Sequence, residues 1–177
     1  LINLDLDWTH QHNNITNKLQ TAQSIIENAN LTPHDAITAL NSVISGRFNY
    51  LFQVMTVPPK TLDIWDKLLL NAARAKVRCG ASQPSLQIHT HKNQGGLGLI
   101  LPSELYTAMI LHDTHIRLSS SNLSSDLTWH RLKDYSHSRY FVTCALRFPI
   151  STPQCPKFNR NHMHAVSTAL VNTNSVL

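Results

Sequence analysis

The sequence predicts an all-α protein with helices in both halves and a short strand at its N-terminus. Apolar residues recur every three or four positions through most of the first 80 residues, which is the period of a helix buried on one side. Prolines and polar capping residues interrupt these runs at spacings typical of helix ends. With 177 residues, 42% of them hydrophobic, the chain is long enough to bury a core.

The first elements predicted along the chain are a strand and a helix. Residues 1–7 alternate apolar and polar side chains, as a half-buried strand does. A helix follows from Thr9 and ends within residues 28–31. Thr32 and Pro33 start the next helix, because threonine is a favourable N-cap and proline fits the first helical turn. The apolar positions of the first helix are Ile15, Leu19, Ala22, Ile25 and Ile26.

The second helix is predicted from Pro33 to about Met55. Gly46 lies inside it, and a glycine there costs roughly 1 kcal/mol relative to alanine, which indicates close packing or a kink at this point. Pro58 and Pro59 end this helix and begin the next one. Its apolar side holds Ile37, Leu40, Val43, Ile44, Phe48, Leu51 and Phe52.

The third helix, from about Lys60 to Cys79, has two distinct sides. On a helical wheel of about 100° per residue, one broad side is apolar: Leu62, Ile64, Trp65, Leu68, Leu69, Ala72 and Ala73. The opposite side carries four cations that we call the basic strip: Lys60, Lys67, Arg74 and Arg78. At roughly 1.5 Å per residue the basic strip spans about 27 Å. The wheel places Lys76 toward the apolar side. Its aliphatic stem is therefore expected to lie along that side, with its amine reaching out to water.

The rest of the chain is predicted to be mainly helical. Residues 85–90 form a short extended segment before a polar turn and the glycine-rich residues 95–99. Pro102 begins a helix that ends at residues 119–121, and another runs from about Ser124 to Tyr135.

The sequence pattern predicts secondary structure less clearly at the C-terminal end, and the chain is predicted to form two domains. Residues 137–150 fit helix or strand, and a weak helical run covers Met163–Val171. The predicted domains are residues 1–101 and a helical extension of residues 102–177 with a poorly ordered tail.

The charge distribution favours an anionic partner. The net charge is +5, and the positive charge falls in two blocks. Residues 58–92 hold six basic and two acidic residues, a net charge of +4, and residues 126–177 have the same counts. Such blocks are typical of nucleic-acid-binding surfaces, although an ordinary solvated helix face has the same pattern.

The cysteine spacing and the hydropathy bear on the redox compartment of the protein and on membrane insertion. Cys79, Cys144 and Cys155 are odd in number and widely spaced, so we expect no disulfides and a reducing compartment. No run approaches the roughly 20 apolar residues that span a bilayer, and we expect no membrane partner.

No motif predicts catalysis, a metal or a cofactor. Four histidine pairs could supply metal ligands, but no H-E-x-x-H or zinc-finger spacing completes a site, and solvated histidines explain them better. Residues 95–99 lack the G-x-G-x-x-G spacing of a phosphate loop and are expected to form a tight turn that buries Leu97 and Leu99. Asp63 is expected to pair with Lys60 or Lys67, and Asp66 to be solvated.

Residues 1–101 resemble the thumb region that follows the palm in non-LTR retrotransposon reverse transcriptases. The resemblance lies in the order and spacing of Trp8, Lys18-Leu19, Tyr50-Leu51, Pro58-Pro59, Leu62, Trp65, the glycine-rich residues 95–99 and Pro102-Ser103. It implies a helical thumb that grips a template–primer duplex through its minor groove and backbone. The sequence has no counterpart of the aspartate-bearing palm motif, the fingers or the Cys/His knuckle of such enzymes.

The predicted function is therefore that of a non-catalytic fragment of an RNA-directed DNA polymerase. The basic strip is expected to bind RNA or an RNA–DNA duplex, with Arg47 and Lys76 as further candidates. The resemblance implies the missing palm and fingers as partners, or another protein, and a nuclear location if the element is active. A helical module that binds proteins in a larger assembly is the alternative, and a zinc enzyme ranks third.

Overall fold

The structure, a computed structural model, describes residues 8–77, 86–140 and 166. Over these residues there are six α-helices, one 3-10 turn and no strand, which confirms the predicted all-α class. The helices are α1 (Thr9–Asn28), α2 (Pro33–Val54), α3 (Pro59–Val77), α4 (Leu86–His89), α5 (Pro102–Ser119) and α6 (Leu123–Tyr140), and the 3-10 turn is Lys92–Gln94.

Several predicted features lie outside the described residues. They are the strand at residues 1–7, the end of the third helix at residues 78–80, most of residues 137–150, and the tail helix apart from Val166, which is helical and buried. The chain divides into two compact units, Leu1–Leu105 and Tyr106–Leu177. The boundary predicted from the sequence, after residue 101, falls at the start of α5.

Trp65 of α3 is the centre of the first unit. Its side chain is fully buried. Its ring centroid lies 5.2 Å from the ring centroid of Phe48 and 6.4 Å from that of Phe52, both on α2. The indole Nε1 donates a hydrogen bond of 2.8 Å to Oγ1 of Thr16 on α1. The edge of His12, one turn earlier on α1, meets the same indole. Trp65 therefore holds three helices together and has a partner for its one polar group.

The apolar sides of α1, α2 and α3 agree with the predicted periodicity except at two positions. Ile25 of α1 was expected on the apolar side, and this is wrong because it is 62% exposed. Five predicted core residues of α2 are buried: Ile37, Leu40, Ile44, Phe48 and Phe52. On α3, Ile64 was assigned to the apolar side, and this is wrong because half of it is exposed. Ile64 follows Lys60 by four residues and precedes Lys67 by three, so it lies on their side of the helix.

The N-terminus of α2 is capped as predicted. Thr32 is extended, and its Oγ1 accepts a hydrogen bond of 3.2 Å from the backbone N of Asp35, while Pro33 occupies the first helical position. The predicted packing role of Gly46 is wrong. Helix α2 continues through Gly46 without a break, and a Cβ added there would meet no atom within 4 Å.

A short helix replaces the extended segment predicted at residues 85–90. The prediction was wrong because Leu86–His89 forms one helical turn, α4, whose carbonyls accept from a later stretch of chain. The backbone N of Leu97 donates to Gln87 O, and that of Leu99 donates to Ile88 O, each at 3.0 Å. These bonds fold residues 97–100 back against α4 and bury Leu99, while Leu97 remains half-buried.

Asn41 of α2 attaches this loop to the helical core. Its Nδ2 donates to Gly98 O at 2.8 Å, and its Oδ1 accepts from Ile100 N at 2.9 Å. The side-chain amide of Asn41 thus binds the carbonyl of Gly98 and the N–H of Ile100, the residues on either side of Leu99. The backbone of a neighbouring β-strand would form the same pair of hydrogen bonds. Two of the glycines in the loop show why larger residues are excluded there. Gly98 has a φ of +73°, and a Cβ at Gly96 would lie 2.0 Å from Thr90 O.

The second unit contains most of α5 together with α6. Helix α5 buries Tyr106 and Ile110, and α6 buries Leu132. Near the end of α5, Nε of Arg117 lies 2.8 Å from Oδ2 of Asp113, one helical turn earlier. Helix α6 extends to Tyr140 and is therefore longer than the prediction that ended it at Tyr135.

Replacing Asn41 with alanine is expected to lower the free energy of unfolding by about 2 kcal/mol, since two hydrogen bonds to the loop, one of them partly buried, are lost at about 1 kcal/mol each. Urea unfolding followed by circular dichroism measures this loss. Asn49→Ala is the matched control, because Asn49 is exposed on the same helix, and it is expected to change stability by less than about 0.5 kcal/mol. Equal losses in the two variants would contradict the role of Asn41.

Candidate nucleic-acid interface

Helix α3 carries Lys60 and Lys67 on its outward side. Both lysines are exposed, and they are seven positions apart, which is nearly two helical turns, so they point the same way about 10 Å apart along the axis. The inner side of the same helix is anchored by Trp65 and Leu69, which are fully buried. The two ammonium groups are therefore presented by a helix whose position is fixed by the core.

Neither lysine is neutralised by a described residue. Among the side chains described in residues 8–77 and 86–134, the ion pairs are Arg117 with Asp113 and His89 with Glu104, and neither involves α3. The predicted pairing of Asp63 with one of these lysines is wrong for this part of the chain, since Asp63 forms no ion pair with either. Lys60 and Lys67 therefore remain open to an external anion.

Arg74 continues the basic strip but is less exposed than the lysines. Its side chain is half-buried, and its guanidinium Nε is buried without a hydrogen-bond acceptor among the described residues. Packing of the stem fixes the position of the guanidinium and reduces the surface that it can offer to a ligand. Arg78, the fourth member of the basic strip, lies outside the described residues.

Lys76 points to the end of α1 instead of outward. Its Nζ donates to Glu27 O at 2.9 Å and to Ala29 O at 2.6 Å. The last carbonyls of a helix have no partner within the helix and carry partial negative charge, so a lysine amine there satisfies both needs. Lys76 therefore connects α3 to the C-terminus of α1, and its amine is not directed to an external ligand. The helical wheel had placed Lys76 toward the core but could not identify these acceptors.

Arg47 lies on a different helix from the basic strip. It is exposed on α2 and has no ion-pair partner among the described residues. Asp35, the other charged residue of α2 apart from histidine, is used at the N-terminus of the helix. Arg47 is therefore a separate cation and not a fifth member of the basic strip.

Asp66 is a second acidic residue of α3 whose surroundings were predicted wrongly. It was expected to be solvated, but it is half-buried, and its Oδ1 accepts a hydrogen bond of 3.1 Å from the backbone N of Ser103. Ser103 is the second residue of α5, so the carboxylate satisfies an N–H that the helix leaves without a partner and faces the positive end of its dipole. No pattern within α3 predicts this, because the donor is 37 residues away.

Burial raises the pKa of Asp66 above its usual value of 3.8. The hydrogen bonds from the side chain and backbone of Ser103 oppose this increase, and the negative charge of Asp63 adds to it. Burial dominates, so the ionised form of Asp66 is less favourable in the folded protein than in the unfolded chain.

Three of the five histidines of the first unit are engaged in local contacts. His89 lies 3.6 Å from Oε1 of Glu104, and Nδ1 of His91 accepts from the backbone N of Asn93. His12 packs against Trp65. Among the described residues no three histidines, cysteines or acidic residues are grouped to hold a metal ion. His162 and His164, which form one of the four histidine pairs in the sequence, lie outside the described residues.

The glycine-rich loop uses its N–H groups internally. Gly95 N donates to Lys92 O, Gly96 N to His91 O, and Gly98 N to Thr90 O. An anion-binding loop needs such groups to converge on the ligand. Because these donors are already paired, the turn interpretation explains the loop better than phosphate binding does.

Comparisons with known proteins identified no relative of this chain. No family model, no curated protein and no solved structure matches the chain. Among the described helices none is long and apolar enough to cross a membrane. The resemblance to a reverse-transcriptase thumb therefore depends on the residue pattern itself.

The raised pKa of Asp66 makes a prediction about stability and pH. Below the unfolded pKa of about 3.8, Asp66 is protonated in both states and its ionisation costs nothing. As the pH rises through the folded pKa, the folded state has to accept a buried charge, so this contribution to stability is lost. Asp66→Asn keeps an oxygen acceptor for Ser103 N and cannot ionise.

We expect the stability of Asp66→Asn relative to the wild type to increase between pH 3 and pH 7. Urea unfolding of both proteins across this range measures the difference, and subtracting the wild type removes the contributions of groups that do not interact with Asp66. A difference that stays constant, or that falls with rising pH, would show that burial does not dominate at Asp66.

Proposed function

We propose that this chain is the non-catalytic thumb region of a retroelement-type RNA-directed DNA polymerase, and that α3 grips a nucleic-acid duplex. The observation that carries the proposal is the pair of exposed, unpaired lysines, Lys60 and Lys67, on a helix anchored through Trp65. The order of motifs from Trp8 to Ser103 supports the assignment to this class of polymerase. The paired aspartates that such a polymerase uses would belong to a palm outside these 177 residues.

Electrostatics favours a phosphate backbone as the ligand of α3. Each phosphate that a cation neutralises releases condensed counterions, which drives binding without any reading of sequence. Lys60, Lys67 and Arg74 recur every seven residues, so the described part of the basic strip covers about 21 Å. That is about six base pairs at 3.4 Å each, enough for several phosphates along one strand.

The anchoring of α3 matters because flexible cations bind weakly. A lysine on a mobile segment loses conformational entropy when it binds, in addition to the entropy of its own side chain. In α3 the backbone is already fixed by the buried side chains on its inner side, and by Lys76 and Asp66, which connect the helix to α1 and to the start of α5. The free energy of contact with phosphate is therefore not spent on ordering the helix.

A second candidate function, a protein-interaction module, is favoured by Ile64. This side chain is half-exposed between Lys60 and Lys67, where a purely electrostatic surface has no need for an apolar group. An isoleucine flanked by lysines suits an acidic protein surface with an apolar pocket. It also suits contact with the sugar edge of a minor groove, where apolar side chains are common, so Ile64 does not exclude the first candidate.

The salt dependence of binding tests the proposal. A fluorescently labelled RNA–DNA hybrid is titrated with the protein at several salt concentrations, and log affinity is plotted against log salt. If about three phosphates are engaged, the slope is about −3, and the double variant Lys60→Ala/Lys67→Ala reduces it by about two. The affinity at low salt falls correspondingly.

The matched control removes the same charge elsewhere. Lys18 on α1 and Lys133 on α6 are both exposed, so Lys18→Ala/Lys133→Ala lowers the net charge equally without touching α3. It is expected to leave the slope nearly unchanged. A flat plot for the wild type, or equal effects of the two double variants, would overturn duplex binding by α3. Co-purification of a protein that survives nuclease and high salt, and that is lost on Ile64→Ala, would support the interaction module.

A further inference from the structure

We infer that α2 presents a stacking site for an unpaired nucleotide, formed by Gly46, Arg47 and Tyr50. We call these three residues the α2 shelf. This inference rests on the proposed function, because it assigns the kind of nucleic acid that the thumb binds: a duplex with a single-stranded extension. It uses residues of α2 and is therefore separable from the basic strip on α3.

Gly46 has no reason within the fold to be a glycine. It lies in the middle of α2, where glycine weakens a helix, and its backbone does not require positive φ, which among the described glycines is found at Gly95 and Gly98. A Cβ at Gly46 would enter open space, so no neighbour excludes a side chain. What glycine does provide is an uncovered patch of helix surface, and such a patch suits the close approach of a ligand.

Tyr50 stands next to this patch. It follows Gly46 by four residues, so the two lie on the same side of the helix one turn apart. Helical side chains lean toward the N-terminus of their helix, which brings the Tyr50 ring over the turn that carries Gly46. Tyr50 is 74% exposed, and neither its ring nor its hydroxyl contacts a described residue through a hydrogen bond or an aromatic pair.

Arg47 adds the charge that a nucleotide needs. It precedes Tyr50 by three residues, is exposed, and forms no ion pair with a described residue. The nearest acidic residue on α2 is Asp35, three turns away, which binds Thr32 at the helix start. Val54, half-exposed one turn beyond Tyr50, extends the apolar edge. A flat ring, an open patch and a free guanidinium are thus placed within about two turns.

This combination fits a nucleotide better than a protein side chain. Every base has a flat face that stacks on an aromatic ring without regard to sequence, and its phosphate is met by a nearby arginine. A protein partner would call for a larger apolar area, and the shelf exposes just one large aromatic residue with a single valine beyond it. The positive charge of Arg47 also selects for an anionic ligand.

The test compares two probes that differ in a single feature. One is a blunt RNA–DNA hybrid, and the other is the same hybrid with a single-stranded RNA overhang of about six nucleotides that contains 2-aminopurine. The wild type is expected to bind the overhang probe about tenfold more tightly than the blunt probe, and 2-aminopurine fluorescence is expected to fall as the base stacks.

Variants of the shelf should remove this difference selectively. Tyr50→Ala is expected to abolish the tenfold preference and the quenching while leaving affinity for the blunt probe unchanged, and Tyr50→Phe is expected to retain both. Gly46→Ala should raise the melting temperature, because alanine favours the helix, and still weaken binding of the overhang. Ile25→Ala, which removes a 62%-exposed residue from α1, is the matched control and should change nothing.

The failures of the two proposals are distinguishable. If the wild type binds both probes equally, or if Tyr50→Ala keeps the preference, the shelf is overturned and duplex binding by α3 stands. If Lys60→Ala/Lys67→Ala has no effect while the preference depends on Tyr50, duplex binding by α3 is overturned and the shelf stands. All the shelf residues are exposed, so circular dichroism is expected to show unchanged folding in each variant.

Discussion

The packing of Trp65 is the interaction on which the first unit depends. Its indole fills the space between α1 and α2, and its Nε1–H finds an acceptor in Thr16, so a large aromatic side chain is buried without an unsatisfied donor. Because Trp65 fixes the inner side of α3, it also fixes the direction of the outer side. The orientation of Lys60 and Lys67 is therefore a consequence of core packing and needs no contact of its own.

Helix α3 distributes its charged residues between two tasks. Lys76 and Asp66 are turned toward neighbouring helix ends, where a cation meets terminal carbonyls and an anion meets terminal N–H groups. Lys60 and Lys67 are turned outward and have no described partner. Net charge alone cannot separate the two tasks, since it counts one unit of charge for each residue whatever that residue contacts. The separation depends on whether a helix terminus lies within reach of each side chain.

The sequence predicted what depends on local chemistry. The cap at Thr32, the proline start of α2 and the buried side of α2 were correct because each is decided within a few residues. Asp66, Lys76 and Asn41 could not be predicted, because their partners lie 37 to 59 residues away. Ile64 is a different case: its spacing from Lys60 already placed it outside the apolar side, so that signal was present in the sequence.

The attachment of residues 98–100 to Asn41 sets a limit on where the first unit can be cut. The amide of Asn41 and the buried Leu99 belong to the same small structure, although 57 residues separate Asn41 from Gly98. A chain truncated after α3 or α4 would retain its three long helices but would leave the side chain of Asn41 without the backbone that it binds. A fragment that keeps these contacts therefore extends at least to Ile100, well beyond the last of the three long helices.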